Sequence, residues 1–208
     1  RSYGFKRQHL GHDMMGQVGT PVVAVESGYV EALGWNQYGG WRLGIRSFDH
    51  KRYYYYAHLR KNYPYQSGLE VGSVVQAGDV IGYLGRTGYS RTENTNNIDD
   101  PHLHFGLELI FDESQKDSNN EIWVSCYELV KFLNLNRCEA VKVEGTKEWK
   151  RLYGIKDPLV PVQPATPSQA GPAAESQAEP LAKSQAGPQT ESQAGPQTDP
   201  QAGSQAES

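Results

Sequence analysis

Apolar and polar residues alternate over short stretches through the first hundred positions, and glycines separate the stretches. A period of two belongs to half-buried strands. Pro21-Val22-Val23-Ala24-Val25 predicts a buried strand, and Tyr29 to Trp35 predicts a second after the turn at Ser27-Gly28. Trp41 to Ser47 and Arg52 to Leu59 flank Phe48-Asp49-His50-Lys51 and predict a hairpin. Gly72, Gly78, Gly82, Gly85 and Gly88 then punctuate Val74-Val75, Val80-Ile81 and Tyr83-Leu84, a pattern of short strands and tight turns. His102 to Phe111 is the last strong strand: Leu103, Phe105, Leu107 and Leu109 alternate with His102, His104, Gly106 and Glu108. Together these segments predict an all-β, glycine-rich antiparallel domain of β-sandwich type.

Further on the period changes. Ser125-Cys126-Tyr127-Glu128 has the form of a capping box, in which Ser and Glu satisfy backbone donors reciprocally. It predicts a helix through Leu133, with Cys126, Leu129, Val130 and Leu133 near one face. A weaker helical pattern runs from Thr146 to Tyr153 and stops at Gly154. These helices are expected to pack on the outside of the sheet.

From about Pro161 the apolar residues nearly vanish, and Ser, Gln, Ala, Gly and Pro recur in a register of eight from Ser168 through Ser176, Ser184 and Ser192. Such a segment cannot bury enough apolar surface to offset the entropy of ordering. The expected organisation is a β-core over residues 1–112, a helical extension over 113–158 and a disordered repeat tail over 159–208. The tail carries a net charge of −4, as does the whole chain, so the folded part is near neutral. Neutrality offers no electrostatic case for nucleic acid as a partner.

Cys126 and Cys138 are too few for a disulfide framework and lack metal-site spacing, so one bridge and two thiols both stay open. No apolar run approaches the roughly 18 residues of a membrane span. The chain starts at Arg1, which reads as a processed or truncated product.

Candidate chemistry lies on three separate segments: His9 and Asp13 in His9-Leu10-Gly11-His12-Asp13, His58 after four tyrosines, and His102 with His104 in Pro101-His102-Leu103-His104-Phe105. Imidazole and carboxylate are the usual ligands of catalytic zinc, which takes three protein ligands and keeps one open position. On a strand, residues two apart share a face at roughly 7 Å, so His102 and His104 can share a metal or divide binding from proton transfer. The ordinary alternative is two solvent-facing histidines on a sheet. His9 and Asp13 would be about 13 Å apart on an ideal strand, so the chain must bend between them, and Gly11 permits the bend. His12 and His50 read as surface residues. Strict alternation puts Tyr54, Tyr56 and His58 on one face and Tyr53, Tyr55 and Ala57 on the other, with the tyrosines as sheet packing or a substrate groove. Glu108 is about 13 Å along the strand from His104 and is not assigned as a base. No His-Glu-x-x-His helix, Walker-type loop or Gly-x-Ser-x-Gly elbow is present.

In order along the chain, His9-x-x-x-Asp13, Tyr-Ala-His58-Leu, the glycine-punctuated stretch from Gly72 to Gly88 and His102-Leu103-His104-Phe105 resemble the lysostaphin and LytM-type zinc endopeptidases, family twenty-three of the metallopeptidases. The resemblance runs from about Arg7 to Leu109. It implies one zinc ion held by His9, Asp13 and His104, with His58 and His102 as catalytic histidines. It also implies hydrolysis of peptide bonds in bacterial peptidoglycan, outside the cytoplasmic membrane. A monomer is the expected oligomeric state. With no glutamate base nearby, an imidazole must take the proton of water or hold the oxyanion. Two departures stand out. A polar loop, Arg91 to Asp100, precedes the His-x-His pair where the family has a short Ser-Thr-Gly-Pro-like linker, and it is expected beside the cleft. Gly106 follows Phe105 where the family more often has Glu. The rival readings are a catalytically inert scaffold or activator of wall hydrolases, which would not bind stoichiometric zinc, and a carbohydrate- or lipoyl-like binding module, which would not need His58 or His102.

Overall fold

The computed structural model describes residues 10–116 and 119–161. His9, part of the expected metal set, and the repeat tail from residue 162 onward lie outside the described residues.

Among the described residues, eleven strands carry the architecture: β1 His12–Met15, β2 Pro21–Val23, β3 Gly28–Asn36, β4 Gly40–Ser47, β5 Arg52–Ala57, β6 Val74–Val75, β7 Val80–Tyr83, β8 His102–Leu109, β9 Ile122–Trp123, β10 Ala140–Lys142 and β11 Trp149–Arg151. The main sheet is antiparallel with the order β1-β8-β5-β4-β3-β6. β1 pairs with the first half of β8 and β9 with its second half, so the two share its outer edge. β2 and β7 form a small second sheet. The all-β expectation and most strand positions agree with this arrangement.

The core lies on one face of the main sheet. Leu43, Ile45, Tyr54, Tyr56, Leu103 and Phe105 meet Val22 and Ile81 of the second sheet. Tyr54 and Tyr56 are packing residues, as strand alternation predicts. The sheet twists around a bulge in β3, where Glu31 is the extra residue between the pairs Val30↔Ile45 and Ala32↔Gly44. A bulge re-aims a side chain, and Glu31 meets Arg46 at 2.6 Å. Arg46 is only 1 % exposed. It also donates to the His50 carbonyl and pairs with Glu113, on the 3-10 turn Glu113–Gln115 that follows β8. Lys116 pairs with Glu31 as well, so one buried guanidinium ties the segment after β8 to the sheet.

Two expectations for the C-terminal region are corrected. The helix α1 spans Tyr127–Leu135, with Cys126 at its N-cap and no side-chain cap bond. Cys126 is buried in the core, which starts the helix after it and leaves Ser125 and Glu128 out of register for the capping box. Thr146 to Tyr153 is not helical. Gly145 (φ 74) turns the chain, and Trp149–Arg151 returns as β11 against β10. Long-range partners decide this: Glu148 accepts from the Tyr63 hydroxyl and the Ser67 N–H, and the Trp149 N–H donates to the Tyr83 hydroxyl. Cys126 and Cys138 are both free. Among the described residues no helix is long and apolar enough to cross a membrane.

Breaking a buried ion pair from one side costs about 3–5 kcal/mol, whereas an exposed partner is worth about 0–1 kcal/mol. Arg46→Ala is therefore expected to lower unfolding stability by about 3–5 kcal/mol, and Glu113→Ala by no more than about 1 kcal/mol. Urea titration of both variants checks this, and equal losses would contradict the assignment of Arg46 as the buried anchor.

Candidate active site

The register of three strands assembles the site. Asp13 lies opposite His104 across β1 and β8, and Ala57 lies opposite His104 across β5 and β8. Paired residues share a face, so Tyr53, Tyr55 and Ala57 of β5 stand with His104, Gly106 and Glu108, away from the core. His102 and His104 share that face, as the alternation predicts.

His58 does not follow the alternation expected for it. It comes just after β5 and has a left-handed backbone with φ of 63°. That turn moves its side chain off the side of Tyr54 and Tyr56 and onto that of the other histidines. Its ring lies 4.8 Å from the His102 ring and 5.8 Å from the His104 ring, centroid to centroid. A non-glycine residue in this region is strained by about 1–2 kcal/mol, and the surroundings hold it there. The His58 N–H donates to the Gly39 carbonyl at 2.7 Å and the Leu59 N–H to the Trp41 carbonyl at 3.0 Å. The Thr87 hydroxyl accepts from the Trp41 N–H and donates to the Leu59 carbonyl, which closes the turn.

Each of the three rings is held by a main-chain carbonyl. His58 Nδ1 is 2.9 Å from the Thr87 oxygen, His102 Nδ1 is 2.7 Å from the Asp100 oxygen, and His104 Nε2 is 3.2 Å from the Leu10 oxygen. A carbonyl only accepts, so the bonded nitrogen carries the proton and the other nitrogen of a neutral ring keeps a lone pair. In His104 that nitrogen is Nδ1, and it faces Asp13 Oδ1 at 3.0 Å. His102 Nε2 is 3.8 Å from the same oxygen. A lone pair and a carboxylate oxygen repel at this distance unless a proton or a cation lies between them. Second-nitrogen bonds to carbonyls are also how metal-ligating histidines are oriented. Asp13 and His104 thus fit as part of a metal site. Among the described residues no group of three or more His, Cys, Asp or Glu is arranged to hold a metal ion; the expected third ligand, His9, lies outside them.

Gly11 lets Asp13 reach His104. Its φ of 152° is one that side chains disfavour, and a Cβ there would stand 2.7 Å from the Phe105 oxygen and 2.8 Å from His104 Nε2. His12, one residue before Asp13, points the other way and packs its ring against Tyr127. His50 is exposed in the hairpin turn beside Tyr29.

The polar loop ahead of His102 borders the site and is tied down. Tyr89 stacks on His58 with centroids 5.9 Å apart, and it meets Tyr38 edge-on. Asn94 accepts from Trp41 Nε1 and the Asn62 N–H and donates to the Asn62 side chain. Sequence reading missed the backbone partners Leu10, Thr87 and Asp100, because a carbonyl carries no residue signature. It also missed Trp123, whose one sequence signal is a glycine inside a strand at position 106.

Burial first, and then the neighbouring His102 and His104, hold the His58 imidazole down at about 4. His58 is therefore neutral in the folded protein at neutral pH. An unfolded histidine takes up its proton near pH 6.5, so the folded state is disfavoured increasingly as pH falls from about 6.5 to about 4. In metal-stripped protein, the stability of wild type relative to His58→Gln should drop by about 3 kcal/mol across that window. Parallel urea titrations at pH 7 and pH 4 measure it; a pH-independent difference contradicts the burial of a neutral ring. Gly11→Ala should cost about 1–3 kcal/mol from backbone strain with a clash added, read by the same titration.

The model of Peptidase family M23 matches residues 7–118. An L-Ala-D-Glu endopeptidase of Bacillus subtilis (strain 168) is 39 % identical over 107 residues, which is 51 % of this chain and 31 % of the relative. Lysostaphin of Staphylococcus simulans is 39 % identical over 98 residues, 47 % of this chain and 17 % of the relative. The chain thus spans less than a third of the length of these two relatives. The crystal structure of lytM from Ruminococcus gnavus ATCC 29149 superposes with a TM-score of 0.53 and 38 % identity, covering 65 % of this chain and 51 % of that one. The matched segment takes in Asp13, His58, His102 and His104, and the chain belongs to peptidase family M23.

Proposed function

We propose that the chain is a zinc-dependent endopeptidase that hydrolyses peptide bonds of bacterial peptidoglycan in the cell envelope or outside the cell. The observation that carries this reading is the set of three histidines, each held through one nitrogen by a main-chain carbonyl and gathered around Asp13. Family membership supports the peptide-hydrolase class. The related proteins include an L-Ala-D-Glu endopeptidase, a glycyl-glycine endopeptidase and a peptidoglycan DD-endopeptidase. Their names differ in the bond, so peptidoglycan is assigned here as the substrate class alone.

His104, Asp13 and His9 are the residues that would hold the zinc. Bound there, zinc supplies Lewis acidity, which polarises a carbonyl and acidifies water. The rest of the chemistry falls to the chain. His58 and His102 each donate Nδ1–H to a carbonyl and keep a lone pair on Nε2. Either Nε2 can take the proton of the water that attacks the peptide carbonyl. The ring that has taken it becomes an N–H donor, first to the tetrahedral oxyanion and then to the leaving amine as the C–N bond breaks. Burial keeps His58 neutral, which leaves its Nε2 lone pair unprotonated at neutral pH. Tyr89 stacked on it shields one side of the ring from water.

Digestion of defined muropeptides, with products identified by mass spectrometry, tests the assignment. Wild type should release defined peptides. His58→Asn, which tolerates the left-handed backbone, and His102→Ala should each lose roughly two orders of magnitude or more in rate. His104→Ala should fail to retain zinc. A full-rate variant removes that histidine from the mechanism, and wild type purified without stoichiometric zinc favours an inert scaffold.

A further inference from the structure

We propose that Trp123, outside the family-matched segment, is a positioning residue that holds His104 in its metal-binding orientation; the inference rests on the metal reading above. β9 pairs Trp123 with Glu108, which puts its indole on the site face of the sheet. The indole leans back over Gly106. A Cβ at that glycine would lie 2.6 Å and 3.1 Å from two atoms of the indole ring, and 3.3 Å from the Leu10 carbonyl oxygen. That oxygen is the acceptor on His104 Nε2. The absence of a side chain at position 106 thus makes room both for the indole and for the carbonyl that sets the tautomer of His104.

From Gly106 the contact passes to the site through Tyr55. Its ring meets the Trp123 ring edge-on at 6.2 Å and the His104 ring edge-on at 6.0 Å. Tyr55 is the middle member of a row of three edge-on rings with the His104 imidazole at one end. The indole is fixed in turn, since Trp123 Nε1 donates to Glu121 at 2.8 Å and the following Val124 N–H donates to the Leu107 carbonyl. Most side chains in position 106 would collide with the indole. Gly106 and Trp123 are therefore two halves of one packing solution, and the pair explains the departure at the residue after Phe105.

Residues one layer behind a metal ligand typically change metal affinity by 10–100-fold when removed. Zinc dissociation constants by chelator competition should rise about tenfold or more for Trp123→Ala, with most of the affinity recovered in Trp123→Phe. Tyr55→Leu should show a similar loss, and the Trp123→Ala/Tyr55→Leu double variant little beyond either single one, since both act along one path. Long-range 1H–15N spectra of the metal-free forms should show His104 as one Nε2–H tautomer in wild type and as a mixture in Trp123→Ala. If Trp123→Ala does not fold, Trp123→Leu, which still covers Gly106, takes its place with the same expected direction. Wild-type zinc affinity in folded Trp123→Ala or Trp123→Leu overturns the proposal. A wild type that binds no zinc defeats the metal reading instead.

Discussion

The antiparallel register between β5 and β8 is the constraint on which the site depends. It sets Tyr56 opposite Phe105 and Ala57 opposite His104, so the core ring pair and the site pair are neighbours along the same ladder. A slip of one residue would exchange the faces of β8, putting Leu103 and Phe105 in solvent and the imidazoles in the core. The burial of Tyr54, Tyr56 and Phe105 therefore holds the chemistry in place. Hydrophobic packing on one side of the sheet decides which polar atoms converge on the other.

From that frame, local bonds finish the work. The sheet delivers His102 and His104 to one face, but a strand alone cannot bring His58 to them. A left-handed turn does so, at a cost in backbone strain that is offset by hydrogen bonds to the Gly39 and Trp41 carbonyls and through the Thr87 hydroxyl. Main-chain carbonyls then choose the tautomer of each ring. Side chains supply the imidazole nitrogen atoms, while the backbone decides which of the two is left with a lone pair.

The strands were legible because their period is short and glycines and turn residues bound them. The hairpin at Phe48 to Lys51 and the alternation along β8 needed no information from elsewhere. The face of His58 was not legible, since alternation ends with the strand and the positive φ is imposed by contacts more than fifteen residues away. The segment from Thr146 to Tyr153 was misread for a related reason: its helical pattern is weak, and Tyr63, Ser67 and Tyr83 recruit it as a strand. In the candidate site, the residue types on three segments singled out Asp13, His58, His102 and His104, which the fold brings together. The positions of their carbonyl partners, and the indole behind His104, depend on tertiary contacts with no sequence period.

Gly106 and Trp123 also show where similarity and structure part company. The family match ends at residue 118, yet the indole that packs over Gly106 belongs to a residue beyond that point. A fragment trimmed to the homologous boundary would keep every candidate ligand and catalytic group and still carry a hole behind one of them. The edge of the family-matched segment and the edge of the packing behind the candidate site are thus different in this chain. A graft or chimera that respects the first edge and ignores the second would inherit the chemistry without its support.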